Sequence, residues 1–331
     1  MKKVFLSLMV IITIVSFSTV KYMDFKDNTV VKVNNDKVNS ELLNATSKSI
    51  LILQDLKSKY GEFYNTLTGT ATGIKFLNTY NKEQAMKLVN QYLFIQFVES
   101  KGINLNRDDL KKIYVQKVND IFSKSNISPK DINLYLLSKG YSSKEVYVED
   151  NYLKALYKKA INELYLKKYD EIPLKEDEIK SYYNKNSKAY VSKPKADLKV
   201  IKINNTDEAS LTYKKIIDGY YTFDEVYNMF KDKNEAEKIT VNLNDNDKVL
   251  AQVIKNASGY IFEPMKYGDH YEIIKIEKKY PSKNLSYEEA KNYVERDLKD
   301  PIVKKYFSEE LQKEFDKFKK NSEIIFNEKM F

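Results

Sequence analysis

Apolar positions along this chain keep a helical period over long stretches and break it once, near the middle. From Lys82, Ala85, Leu88, Val89, Tyr92 and Ile95 recur at helical spacing until Gly102 stops the run. Asn106, with Asp109 three residues on, opens a second helix carrying Leu110, Ile113, Tyr114 and Ile121. Ser128 and Pro129 supply an N-cap and a first-turn proline for a short helix that ends at Gly140. Ser142 and Glu145 form a capping box before a long helix whose inner stripe is Leu153, Leu156, Tyr157, Ala160, Ile161 and Leu164. Lys175 to Asn184 closes this helical series, with Ile179, Tyr182 and Tyr183 on one side.

Pro194 marks the change of period. Leu198, Val200, Ile201 and Ile203 lie in a strand-like run, and Thr206 to Asp218 is an amphipathic helix closed by Gly219. Thr222 and Glu225 box a short helix through Phe230, and Ile239–Leu243 and Tyr271–Ile276 read as further strands. Strands and helices in this order predict a compact α+β domain closed by Pro281. Ser286 and Glu289 then cap a long helical tail, which Pro301 should kink, carrying the stripe Val303, Tyr306, Phe307, Leu311, Phe315 and Phe318. So aromatic a stripe needs cover, and the helical series before Pro194 is the large candidate.

The opening of the chain is less regular. Asn28 to Leu43 predicts a short strand, a turn at Asn34–Asn35–Asp36 and a helix entered through Asn39 or Ser40. Asn44 to Asn81 is poorly patterned, with Thr66 to Gly73 read as its loop. Ahead of all this, Lys2 and Lys3 precede an uncharged apolar run, Val4 to Val20, that ends at Lys21. That is an export signal. Its length is the lower limit for a spanning helix, so residues 4–20 serve either as a membrane anchor or as a signal cleaved after Ser18.

Composition adjusts this picture in two places. The 331 residues carry a net charge of +9, but the cations are lysines alternating with acids, with arginine only at Arg107 and Arg296. Solvated helix faces explain that better than a nucleic-acid surface, and no nucleic-acid partner is expected. There is no cysteine, so the exported fold must hold without disulfides, and there is one histidine, His270, beside Asp269 in a turn. No cluster has metal-ligand spacing, and no triad can be assembled from a single turn histidine, so no cofactor and no catalytic set is expected.

Four stretches, taken together, resemble the SurA/PrsA/PpiD group of exported foldases: Val30–Leu43, Tyr92–Leu110, Asp131–Ala160 running on into Pro173–Tyr190, and the tail from Leu285. The resemblance implies a mostly α chain with an inserted α+β domain. Its parts are a signal or anchor at 1–20, a helical chaperone domain at 28–192, a parvulin-like peptidyl-prolyl isomerase domain at 194–280 and a C-terminal helix at 284–331 packing on the first domain. It also implies where isomerase residues belong. Leu198 stands in or next to the place of the first catalytic histidine, and Glu272 in the place of the second. Val249 and Ile254 replace two phenylalanines of the proline pocket, Tyr271 lies beside it, and LNDND at 243–247 replaces a glycine turn. The expected function is an extracytoplasmic chaperone for unfolded or nascent exported proteins without isomerase chemistry, its peptide contacts in the degenerate domain being Leu198, Val249, Ile254 and Tyr271. An active parvulin-type isomerase and a structural surface protein on the same scaffold remain the alternatives.

Overall fold

The computed structural model describes residues 20–125, 127–243 and 247–331, so the apolar run before Val20 and positions 244–246 of the LNDND turn lie outside the described residues. In chain order, strands β1 (Val20–Met23), β2 (Thr29–Val33) and β3 (Asp36–Asn39) lead into helices α1 (Ser40–Ser47), α2 (Ser49–Lys59) and α3 (Gly61–Gly69). Helices α4 (Ala71–Ser100), α5 (Arg107–Lys124), α6 (Pro129–Ser138), α7 (Lys144–Asp170) and α8 (Glu176–Asn186) follow. Then come β4 (Lys195–Ile203), α9 (Thr206–Ile217), α10 (Phe223–Lys231), β5 (Ala236–Asn242), α11 (Lys248–Lys255), β6 (Met265–Tyr267) and β7 (His270–Tyr280). The chain ends with α12 (Tyr287–Lys305), a π-helical turn at Tyr306–Glu310, α13 (Leu311–Lys320) and β8 (Ile324–Asn327). The architecture is mostly α with an inserted α+β domain.

The chain divides into two units, one of residues 1–173 with 299–331 and one of residues 174–298. In the first, a small sheet has the order β1-β8-β2-β3, with β1 parallel to β8 and β8 antiparallel to β2. Asn34 takes a left-handed φ of 51° at the β2–β3 turn, which asparagine tolerates better than most side chains. Its Oδ1 accepts from the Glu323 amide at 2.8 Å, tying the hairpin to the approach of β8. The core joins β2, β3, α1, α4, α7 and the tail, and Phe315 sits with ring centroids 5.6 Å from Phe94 and 5.5 Å from Phe97. Tyr306, Phe307 and Leu311 are buried in the same core.

Several elements depart from the sequence reading. Val20, read as the last residue of the apolar run, lies in β1, and β3, β6 and β8 are strands of three or four residues, too short to show a period. The poorly patterned segment 44–81 is mostly helical, and Thr66–Gly73, read as its loop, holds the end of α3 and the start of α4: Thr70 caps α4 by accepting from the Gly73 amide, so that helix begins eleven residues before Lys82. The cap of α7 is Ser143, one residue later than Ser142. Helix α12 runs on through Pro301 to Lys305 and passes beyond it into the π turn at Tyr306–Glu310.

In the second unit the sheet order is β5-β4-β7-β6, antiparallel throughout. One face packs under α9 and α10, the other under α11 and Phe262. Residues 174–192, read as part of the helical series, lie in this unit, where Ile179 and Tyr190 form a small core with Ala290 and Val294 of α12. The Tyr190 hydroxyl donates to Asp297 at 3.0 Å and the Tyr183 hydroxyl to the Leu285 carbonyl at 2.6 Å, which explains why the flanks go with the sheet.

Candidate functional site

Alternation along β4 and β7 decides which side chains share a face, because successive residues of a strand point to opposite sides. On β4, Ala196, Leu198 and Val200 face α11; on β7, Ile274 and Ile276 do the same. Leu198 is paired in register with Ile276 and Ile239 and is 2% exposed. Val249 and Ile254, half-buried on α11, pack against that cluster, while Val253 and Phe262 are buried within it. The sheet face that carries Leu198 is therefore covered by α11 and Phe262.

The structure brings Leu198, Val249 and Ile254 to one cluster and leaves Tyr271 out of it. Tyr271 is paired with Ile203 on the opposite face, packed with Phe223, Val226 and Tyr227. Its placement follows from the two-residue period: a residue beside Glu272 in sequence must point away from it. Glu272 is opposite Lys202 on β4, Val200 is the next β4 residue on that face, and Leu198 lies one same-face step further. The two positions argued from resemblance are thus not neighbours, and Val200 comes between them.

Around Glu272 the chemistry is sparse. His270 is held by both its ring nitrogens, Nδ1 at 3.1 Å from Asp269 and Nε2 at 3.1 Å from Glu272. The two carboxylates, Asp269 first, raise the imidazole above its ordinary value by favouring the charged ring. An imidazole so engaged serves its neighbours and offers no free base. Lys202 is turned to Glu237 at 2.7 Å. On the opposite face Asp224 accepts from Lys199 at 2.8 Å and Lys275 at 2.9 Å, and Glu277 takes a second bond from Lys199 at 2.6 Å. Among the described residues no group of histidine, aspartate and glutamate could hold a metal ion.

A different kind of surface occupies the first unit. Helices α5 and α6 enclose a small cluster of Val118, Phe122, Leu136 and Tyr141 with the start of α7, and on their outer sides several apolar side chains stand exposed among charged ones. Ile121 is 56% exposed and Leu134 65%, and Ile113, Val115, Tyr135 and Leu137 are exposed as well. Ile113 and Ile121 were legible as a stripe, but the stripe that is buried is Val118 with Phe122, displaced around the helix. Lysines frame the exposed side chains: Lys117 lies over the Tyr114 ring at 4.8 Å and Lys139 over the Tyr135 ring at 5.7 Å.

Comparison with known proteins places both units. Residues 174–292 match the family described as the PPIC-type PPIASE domain, which covers the second unit almost end to end. Over 313 residues the chain is 25% identical to the foldase protein PrsA of Clostridium botulinum strain Langeland, spanning 91% of this chain and 89% of that protein. Along most of its length the chain is similar to the PrsA foldases. Another PrsA relative, the foldase protein from Clostridium kluyveri, is 25% identical over 301 residues, covering 85% of each. The solved PrsA structure from Streptococcus pneumoniae overlaps with a TM-score of 0.38 at 11% identity, covering 89% of this chain and 93% of that one. Exposed apolar side chains stand in both units, Ile121 and Leu134 in the first and Tyr220 and Tyr267 among others in the second. No helix among its described residues is long and apolar enough to cross a membrane.

Proposed function

We propose that the chain is an exported chaperone that holds unfolded protein segments on the α5–α6 surface, and that its parvulin-like domain has lost isomerase chemistry. One observation carries the first half: six apolar side chains stand exposed on two adjacent helices whose inner sides are fully packed. Such a surface binds extended apolar segments by burial alone, needing neither turnover nor cofactor. Its lysine frame would favour client segments with acidic flanks. Similarity to the PrsA foldases along most of the chain supports the same reading.

The loss of isomerase chemistry is supported by the residues at the expected positions. Leu198 and Val200 are buried aliphatics, and Glu272 is bonded to a histidine two residues away. The purified chain should suppress aggregation of a denatured client at near-stoichiometric amounts while leaving a proline-limited refolding rate at its uncatalysed value. Ile121→Asp with Leu134→Asp should weaken the suppression several-fold. Unchanged suppression in that variant would remove the surface from the proposal.

A second reading, an active isomerase, is favoured by one detail: Glu272 and His270 form a hydrogen-bonded acid–base pair at the rim of the apolar face. Accelerated proline isomerisation that disappears with Glu272→Ala would establish it. A chain with neither activity would be a structural protein on a borrowed scaffold.

A further inference from the structure

A strand at the edge of a sheet can take up another chain, because its outward amides and carbonyls have no partner. Folded proteins keep such edges very short, or break them with proline or a bulge. The edges β1, β3 and β6 follow that rule with three or four residues each. The edge β5 does not. It runs for seven residues, Ala236–Asn242, without proline, and its register with β4 continues unshifted from Asn242 opposite Lys195 to Ala236 opposite Ile201.

Two backbone bonds fix which way its groups point. The Leu243 amide donates to the Pro194 carbonyl at 2.9 Å and the Lys202 amide to the Glu235 carbonyl at 2.8 Å. Bonded pairs alternate with unbonded ones along an antiparallel ladder, so the odd-numbered β5 residues bond β4 and the even-numbered ones turn outward. Ala236, Lys238, Thr240 and Asn242 thus present N–H and C=O to the open side, and no described residue takes them. The charges of the strand do not screen this edge. Lys238 is drawn to Glu277, and Glu237 to Lys202 at 2.7 Å, both back over the sheet.

Side chains alternate with the same period. Glu237, Ile239 and Val241 lie on the side of the Leu198 cluster, and Lys238, Thr240 and Asn242 on the other. A strand laid beside β5 therefore meets two aliphatic side chains on one face and polar ones, a lysine among them, on the other. That matches an extended segment of alternating apolar and polar residues, with an acid where it passes Lys238. A second copy matches less well: β5 paired about its own centre at Ile239 sets Glu237 of each copy against Val241 of the other, an acid on an aliphatic.

We infer that the β5 edge is a second binding site, which takes an extended client segment of this pattern as an added strand held by main-chain hydrogen bonds. The nature of the occupant rests on the chaperone reading proposed above, but the site and its chemistry are different: α5 and α6 bury apolar side chains, whereas β5 offers amides and carbonyls.

The probe is an acetylated seven-residue peptide alternating valine with threonine and glutamate, added at saturation to the full-length chain. It should slow hydrogen exchange of the Lys238 and Thr240 amides at least tenfold. Thr240→Pro removes an outward amide that β4 does not use, so the ladder stays intact while affinity for the peptide should fall at least tenfold. The same peptide N-methylated at alternate residues keeps its side chains and loses its donors, and it should bind the unaltered chain at least tenfold more weakly. Ile121→Asp with Leu134→Asp should leave the protection of Lys238 and Thr240 unchanged, which separates this site from the α5–α6 surface. Failure to bind the peptide overturns the inference, as does equal binding by Thr240→Pro or of the N-methylated form. Binding lost only with the two aspartates overturns it and assigns the peptide to α5 and α6. Protection of Lys238 and Thr240 that rises with protein concentration in the absence of peptide overturns it too, and assigns the edge to a second copy.

Discussion

Asp224 shows how single residues set the conditions under which the second unit stays folded. Lys199 first, then Lys275, hold its carboxyl below 3.8, the ordinary aspartate value, by hydrogen bonds to the charged form. A carboxyl depressed in the folded state adds stability that is present above its unfolded pKa and lost as pH falls through the folded one. Glu277, lowered by Lys199 and Lys238, behaves alike. Acid unfolding of residues 174–298 should therefore steepen below pH 3.8, and Asp224→Asn should flatten that limb in a melting series while costing about 1 kcal/mol or less at neutral pH, since the carboxylate is half exposed. His270 works with the opposite sign: its raised pKa contributes below 6.5 and the contribution disappears as pH rises through the folded value. In the first unit Arg107 bonds Glu99 with two nitrogens, at 2.7 and 2.6 Å, and reaches Asp36 at 3.0 Å. Arg107→Lys cannot reproduce that fork and should cost about 2 kcal/mol by chemical denaturation.

At the scale of elements, the aromatic stripe of α13 makes the sharpest expectation. Phe315 is 1% exposed between Phe94 and Phe97, so Phe315→Ala should destabilise the first unit by about 3–5 kcal/mol, and a loss under 1 kcal/mol would contradict the packing. Elements whose ends carry their own chemistry were legible in the sequence. The Thr222–Glu225 box is present in both directions, and so is Ser286–Glu289, where Lys283 and the Ser286 amide bring the Glu289 carboxyl down to about 2. Elements that depend on a distant partner were not legible. Residues 50–80 have no buried stripe because nothing in the described chain covers them, so no helical period stands out. β8 is four residues of IIFN whose strand state comes from β1 and β2 on either side. For the candidate site, the membership of Leu198, Val249 and Ile254 in one cluster was within reach of sequence reasoning. The exclusion of Tyr271 required only strand parity, while the burial of Phe262 in the Leu198 cluster required the fold.

For the molecule as a whole, the change of period at Pro194 was enough to read a mostly α chain with an inserted α+β domain. The seam at 174 was not, because α8 looks like one more helix of the series and only its contacts with Ala290 and Val294 place it elsewhere. A fragment of residues 174–298 should fold alone with a cooperative melt, whereas one of residues 194–280 should not reach the same stability without the Tyr190–Asp297 and Ile179 contacts. The first unit has a further property, set by where β8 lies. Residues 324–327 are hydrogen-bonded between β1 and β2, so a strand made late separates two of the first. Synthesis runs from the N-terminus, and until residues 324–327 are free of the ribosome or of any pore they pass through, this sheet has a gap at its centre. The Phe94–Phe97 groove likewise waits for Phe315. Folding of this unit is thus timed by chain release: protease resistance of residues 20–173 should appear only after β8 is free, and until then the first-made part of the chain stays open to whatever lies around it.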